Sequence, residues 1–233
     1  GTLAVGPGSM TVGADNQSSV FDGVIGNPAG GPSGPFNKIG TGTLTLTGTS
    51  TTTGAINVSA GTLLVNGVTS AGAVLTVTSS GTLGGSGTAQ GTVAIAGGAH
   101  LAPGTSPGTL RTGALTLSPN AVMDYELGQA GTPGGALNDL TQVTGNLTIG
   151  SNVTLNITVP PGGTFANGIY RLFTYTGTLA TRGSIQRFAG RFADGWDGTL
   201  DYLFIDSGGH VAGPKPVLDA DNVLVSASRL APL

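Results

Sequence analysis

Residues 40–48, Gly-Thr-Gly-Thr-Leu-Thr-Leu-Thr-Gly, and residues 61–67, Gly-Thr-Leu-Leu-Val-Asn-Gly, decide the fold of this chain. In both stretches apolar residues and threonines form short runs that glycines separate. Side chains on a strand point alternately to its two sides, so Leu44 and Leu46 share one face and Thr43 and Thr45 the other. Threonine favours extended backbone and presents a hydroxyl to water. The pattern predicts short strands with one apolar face and one threonine face.

The pattern recurs along the chain as two apolar residues two positions apart and a third six positions further on. The sets are Leu75/Val77/Leu83, Val93/Ile95/Leu101, Leu115/Leu117/Met123 and Leu147/Ile149/Leu155. Counted from the second residue of each set, the steps are 18, 22 and 32 residues, and the last step contains a Gly/Pro segment near 128–138. A period of about 18 to 22 residues, made of strands and turns, is typical of one coil of a β-solenoid.

The repeat predicts which side chains form the core. We expect these to point inward: Leu44, Leu46, Ile56, Val58, Leu63, Val65, Leu75, Val77, Val93, Ile95, Leu115, Leu117, Leu147, Ile149 and Leu155. No apolar run keeps a 3.6-residue period, and glycine and threonine are weak helix formers. We therefore expect an all-β protein with almost no α-helix.

Composition excludes several classes of protein. The chain has 233 residues, 43 glycines, no cysteine and a net charge of −3. The absence of cysteine excludes disulfide scaffolds, thiolate metal sites and cysteine nucleophiles. Without a basic cluster we expect no nucleic-acid partner, and without an apolar span of about 18 residues no membrane insertion by this segment.

The distribution of residues suggests two domains. Residues 26–35 form a Gly/Pro loop that we expect to bulge from the surface, and no Lys, Arg, Asp or Glu occurs between Lys38 and Arg111. From about residue 139 the chain gains most of its charges and nine of its twelve aromatic residues. We predict a solenoid repeat array over residues 1–138, followed by C-terminal solenoid coils and a cap over 139–233.

Three motifs resemble the passenger region of bacterial autotransporters. Gly42-Thr-Leu-Thr-Leu-Thr-Gly48, with Gly54 and with residues 56–67, looks like one autotransporter-associated β-strand repeat. Residues 102–110, Ala-Pro-Gly-Thr-Ser-Pro-Gly-Thr-Leu, look like the turn and strand that commonly follow, and residues 168–177 like the passenger's terminal portion. The resemblance implies a right-handed parallel β-helix at the bacterial cell surface or beyond it.

The sequence departs from that family in one respect. Nothing after residue 205 has the long alternating strands of the family's membrane β-barrel. The sequence also lacks a signal peptide. We expect a passenger region without its barrel, which is a processed or excised piece if the protein is exported; a protein with such repeats but no barrel is the alternative.

The motifs that could carry catalysis are weak. Residues 104–108, Gly-Thr-Ser-Pro-Gly, match the G-x-S-x-G pattern and lie close to His100. A nucleophile elbow needs a strand-to-helix turn and a backbone N–H after the serine, but Pro107 has no N–H. We favour a plain turn here, and a solvent-facing turn for His210.

Carboxylates in the C-terminal region are the remaining candidates. Asp194 and Asp197 flank Trp196, and Asp219 and Asp221 lie two apart. Either pair could supply part of a calcium site, and paired acids beside aromatic rings could hydrolyse glycosides. We predict no metal and no cofactor, because the repeats contain no aspartate ladder, and we expect the aromatic residues to pack in the core.

We therefore predict a non-enzymatic extracellular β-solenoid that serves as a structural or adhesive cell-surface or filament element. The alternatives are a stalk or folding-nucleation segment of a larger passenger whose enzyme lies elsewhere, and a carbohydrate-active β-helix enzyme. Expected partners are neighbouring repeats or further copies stacked end to end, with surface polysaccharide as another option. The candidate subunit contacts are Leu3, Ala4, Val5, Arg182, Arg187, Arg191 and Asp194.

Overall fold

The computed structural model describes residues 1–29, 31–78, 80–166, 168–181, 199–202 and 222–228. Across these residues the chain visits three sheets in turn, so that a complete coil consists of three strands joined by tight turns. In the described part of the chain, no helix is long and apolar enough to cross a membrane.

The first sheet contains eight parallel strands, one from each successive coil. They are β2 (Met10–Val12), β5 (Phe36–Lys38), β7 (Ile56–Val58), β10 (Leu75–Val77), β13 (Val93–Ile95), β16 (Leu115–Leu117), β19 (Leu147–Ile149) and β22 (Leu179–Thr181). The second sheet contains seven parallel strands: β3 (Ser19–Phe21), β6 (Thr43–Leu46), β8 (Thr62–Val65), β11 (Thr82–Gly85), β14 (His100–Pro103), β17 (Val122–Glu126) and β20 (Thr154–Thr158).

The third face of the solenoid starts with a parallel pair, β1 (Thr2–Ala4) and β4 (Val24–Gly26). It continues in parallel through β9 (Val68–Thr69), β12 (Thr88–Ala89), β15 (Thr109–Thr112), β18 (Leu140–Val143) and β21 (Gly168–Tyr175). Two further strands extend this last sheet: β24 (Asn222–Ser228) pairs antiparallel with β21, and β23 (Thr199–Tyr202) pairs antiparallel with β24. The parallel stacking thus ends in an antiparallel edge on this face.

The register confirms the sequence repeat. Val77 pairs with Ile95, Ile95 with Leu117, and Leu117 with Ile149, which reproduces the steps of 18, 22 and 32 residues. The predicted inward side chains are all buried in one continuous core: Leu44, Leu46, Ile56, Val58, Leu63, Val65, Leu75, Val77, Val93, Ile95, Leu115, Leu117, Leu147, Ile149 and Leu155. Each apolar side chain stacks on the side chain at the equivalent position of the next coil, so the sequence repeat produces ladders of apolar side chains along the core.

The longest step contains an inserted loop over residues 128–138, which Asn138 organises. The side chain of Asn138 is buried, and its Oδ1 accepts hydrogen bonds from the N–H groups of Gly128 and Gln129 over 2.9 and 3.1 Å. Its Nδ2 donates to the carbonyls of Gln129 and Thr132 over 2.8 and 2.6 Å. An antiparallel bridge between Leu127 and Asn138 closes the loop at its base, and the Asn138 side chain adds four hydrogen bonds within it.

Four of the aromatic residues beyond residue 139 pack in the core. Phe165, Tyr170, Phe173 and Tyr175 are buried, and the rings of Phe165 and Tyr170 stack with centroids 4.7 Å apart. The other predicted residues of this region lie outside the described residues: Arg182, Arg187, Phe188, Arg191, Phe192, Asp194, Trp196, Asp197, Phe204, His210, Asp219 and Asp221. Their predicted roles in subunit contacts, calcium binding or sugar hydrolysis stay predictions.

Candidate functional site

A cleft of about 290 Å³ opens on the outer face of the second sheet. Its floor is apolar and includes Leu64 and Ala102, and one wall is the turn that begins at Gly104. Asp124 and Glu126 of strand β17 line the opposite side. The cleft therefore combines an apolar floor with carboxylates, on a surface that is otherwise mostly glycine and threonine.

Strand alternation places the two carboxylates of β17 on the same outer face. Met123 and Tyr125 are buried, so Asp124 and Glu126, which alternate with them, point outward. Tyr125 lies wholly in the core, where its hydroxyl makes a hydrogen bond of 2.6 Å with Thr141 Oγ1. Burial raises the pKa of Tyr125 well above its ordinary value, so its hydroxyl stays protonated.

Asp124 already has a hydrogen-bond partner for each oxygen. Its Oδ2 lies 2.6 Å from Nδ1 of His100, a contact that becomes an ion pair when the imidazole is protonated. Its Oδ1 accepts a hydrogen bond of 2.7 Å from Nδ2 of Asn156 on the next coil. The three side chains form a polar ladder across strands β14, β17 and β20 that stabilises the outer face.

Asp139, just before strand β18, is the buried carboxylate of the site. Only 1% of its surface is exposed. Its Oδ1 accepts a hydrogen bond from the Gly108 N–H and its Oδ2 one from the Glu126 N–H, each over 2.7 Å. Burial raises the pKa of Asp139 to about 7, the two amide hydrogen bonds oppose that shift, and the negative charge of Glu126 adds to it.

The turn over residues 104–108 rests directly on this carboxylate. Gly104 has a φ of +84°, and a Cβ on it would lie 2.4 Å from the Gly108 nitrogen and 2.9 Å from Asp139 Oδ1. Only glycine fits there, because its φ is positive and there is no space for a side chain. Ser106, at the exposed tip, also has a positive φ, of 120°, and its Oγ donates to Glu126 Oε1 over 3.2 Å.

The G-x-S-x-G motif is a turn, as predicted. Strand β15 follows it rather than a helix. His100 bonds to Asp124 and Ser106 to Glu126, so the structure does not join the serine and the histidine in a catalytic pair. The oxygens of Asp139 bond to backbone amides, and the residues that line the cleft include no aromatic ring on which a sugar could stack.

Metal binding has no support in the described ranges. There, no group of three or more His, Cys, Asp or Glu side chains is placed to hold a metal ion. Asp124 and Asp139 use their oxygens for hydrogen bonds within the protein. What the site can do chemically is accept hydrogen bonds and exchange a proton at Asp139.

The predicted N-terminal contacts lie in the first coil. Ala4 is exposed, Leu3 is partly buried, and the side chain of Val5 is buried in the core. Among the described residues, the first-coil strands β1, β2 and β3 each pair with a strand on one side only. Subunit contact by Leu3, Ala4 and Val5 stays a prediction.

The sequence did not point to the acidic cleft. Asp124 and Glu126 carried a signal in their two-residue spacing, which marks one face of a strand, but we did not assign them a role. Asp139 carried no local signal, because the inserted loop separates it from Glu126 and only the fold brings the two together. The buried Lys38 was also missed, since its neighbours Phe36 and Asn37 give no sign that a charge faces inward.

Two comparisons with known proteins bear on the family. Residues 36–65 match the model of the passenger-associated-transport-repeat, and this range overlaps most of the segment 42–67 that suggested the family. The adhesin BmaC autotransporter of Brucella suis biovar 1 (strain 1330) is 45% identical over 184 residues, which cover 77% of this chain. The chain spans about 5% of the length of that relative. Both findings confirm the resemblance to autotransporter passenger regions.

Proposed function

We propose, from the premise that this chain is part of an autotransporter passenger region, that it is a non-enzymatic β-solenoid element of an adhesive bacterial surface protein. The observation that carries the proposal is the 45% identity to an adhesin autotransporter along 77% of this chain. The stack of short parallel strands supports it, since such a stack forms a stiff, elongated scaffold. The proposed location is extracellular, at the bacterial cell surface. The proposed hand of the coil is right-handed, as the resemblance to autotransporter passengers implies.

The outer faces of the solenoid suit a scaffold that displays contacts. Glycine and threonine dominate these faces, and the residues between Lys38 and Arg111 carry no ionisable group except His100. Such a surface has little electrostatic preference, so specific contacts come from local features such as the cleft, the turns and the two ends. Surface polysaccharide is one partner of suitable chemistry, because threonine hydroxyls donate hydrogen bonds to sugars and accept them, and carboxylates accept them from sugar hydroxyls.

An adhesion assay with coated beads tests the proposal. Beads that carry the folded chain are expected to bind host cells or immobilised polysaccharide more than beads that carry Leu117→Asp, which destroys the core. Beads that carry Thr116→Asp, altered on the outer face of the same strand, provide the matched folded control. Equal binding by beads that carry the folded chain and by beads that carry Leu117→Asp contradicts an adhesive role and supports a purely structural one.

The second candidate function is that of a stalk within a longer passenger. It is favoured because this chain spans only 5% of the length of the Brucella relative. A segment of this size inside a much longer passenger acts as a stalk that nucleates folding and continues a stack through neighbouring repeats. Deleting these residues from the complete passenger separates the two functions. Normal export with lost adhesion supports the adhesive role, whereas failed export supports the stalk role.

A further inference from the structure

We propose that Asp139 is a proton-operated latch that holds the turn over residues 104–108 against strand β17 and thereby sets the width of the cleft. Three segments of two successive coils meet at this residue. The turn belongs to the earlier coil, whereas the end of β17 and the residue before β18 belong to the later one. The proposal concerns the cleft itself and does not depend on the proposed function.

The contacts of the turn divide into a fixed base and a releasable side. At the base, Gly104 exchanges two backbone hydrogen bonds of 2.9 Å with Gly85, and the Gly108 carbonyl accepts a hydrogen bond of 3.0 Å from the Leu140 N–H. On the side that faces β17, the turn is held by the bond from the Gly108 N–H to Asp139 and by the bond from Ser106 to Glu126. Losing the second set lets the tip move while the base stays anchored.

A negative charge on Asp139 destabilises the arrangement in which the turn is closed against β17. The carboxyl group is almost wholly buried, and the nearest titratable groups on β17 are Glu126, whose negative charge repels it, and Tyr125, which stays neutral. Asp124 and His100, which line or border the same cleft, are paired with each other. Arg111 on β15 and Arg171 on β21 are the cations of the strands that flank β18, and neither is among the causes of the pKa shift.

The direction of the pH effect follows from the two states of the latch. In the closed state the pKa of Asp139 is about 7, and in an open, solvated state it returns towards 3.8. The closed state therefore binds the proton more tightly, so acid favours closure and a pH above 7 favours opening. The ratio of open to closed molecules rises about tenfold between pH 6 and pH 8, because it grows about tenfold per pH unit between the two pKa values and levels off above the closed-state pKa.

Hydrogen exchange of the Gly108 amide measures the latch directly. In the wild-type protein, protection of this amide, corrected for the intrinsic pH dependence of exchange, is expected to fall about tenfold from pH 6 to pH 8. The Leu115 amide, which bonds to the Asn146 carbonyl in the first sheet, is the internal control and stays unchanged. Wild-type protection at Gly108 that does not change with pH overturns the proposal.

Two variants identify the responsible group. Asp139→Asn cannot ionise, so its Gly108 protection is expected to be independent of pH; a pH dependence equal to the wild type's overturns the proposal. Glu126→Gln removes the repelling charge and is expected to move both the carbon-13 titration midpoint of Asp139 and the fall in protection to lower pH. If Asp139→Asn does not fold, Glu126→Gln still tests the proposal. A titration midpoint of Asp139 that is the same in Glu126→Gln and in the wild type contradicts the proposal. Asp15→Asn, at an exposed site, is the neutral control.

Discussion

Lys38 and Val58 are register partners in adjacent strands, so a lysine occupies the position in the core ladder that valine occupies one coil later. The side chain of Lys38 is 1% exposed. Its ammonium group donates to the carbonyls of Ile39, Gly40 and Ala60 over 2.7, 2.9 and 3.2 Å. Burial lowers the pKa of Lys38, and the three carbonyls compensate for the lost water.

Lys38→Met is therefore expected to destabilise the protein although methionine is apolar. The substitution leaves three carbonyls at one corner of the solenoid without their donor, at a cost of about 1–3 kcal/mol. Lys38→Gln keeps an amide donor and is expected to fall between the wild type and Lys38→Met. Urea denaturation monitored by circular dichroism measures the order. A Lys38→Met protein as stable as the wild type means that water replaces the ammonium group.

The two faces of strand β16 give a second prediction. Leu117 is fully buried and stacks between Ile95 and Ile149, whereas Thr116 points outward. Leu117→Asp buries a charge with no partner and is expected to cost several kcal/mol, because each coil contacts only its neighbours. Thr116→Asp is expected to change the melting temperature little. Equal melting temperatures for the two variants contradict the assigned faces.

The inserted loop gives a third prediction, at Asn138. Asn138→Ala removes four hydrogen bonds from a buried site, and the expected loss is about 2–4 kcal/mol. Asn138→Asp keeps the acceptor for Gly128 and Gln129 but loses the two donors. It also brings a further negative charge next to Asp139. Limited proteolysis within residues 128–137 is expected to be faster in both variants, and unchanged cleavage indicates that other contacts hold the loop.

Asp139 makes the global stability depend on pH in a direction opposite to that of most carboxylates. Its pKa is raised from 3.8 to about 7, so the folded protein binds more protons than the unfolded chain between these values. The stability that Asp139 contributes is present below pH 3.8 and is lost as the pH rises through about 7, and its total is about 4 kcal/mol. Denaturation of the wild type and of Asp139→Asn from pH 4 to pH 8 measures the difference, which is expected to shrink with rising pH. A difference that grows with pH contradicts the assignment.

The stack of coils could be predicted from the sequence because every coil must bury apolar side chains at equivalent positions. The same core lies beneath equivalent positions of successive coils, which are Leu75, Val93, Leu115 and Leu147. Apolar residues therefore recur in the sequence with the period of the coils. Lys38 breaks that pattern and was not predictable, since a charge in the ladder is stable only where carbonyls from two turns converge on it. The cleft was not predictable for a related reason. Its buried carboxylate, Asp139, meets Gly108 and Glu126 only after the coils have stacked.

The last prediction concerns association at the first coil. The strands β1, β2 and β3 expose one edge each among the described residues, and unpaired edges can pair with another chain. Val5 is unsuited as a test position, because its N–H donates to the Gly26 carbonyl over 2.9 Å and proline there breaks a bond within the fold. Ala4 is exposed, so Ala4→Lys places a charge at this edge without disturbing the core. Sedimentation at high concentration is expected to show end-to-end assembly for the wild type and monomers for Ala4→Lys, with Thr45→Lys on the outer face as the matched control. A wild-type chain that stays strictly monomeric rules out self-association through this edge.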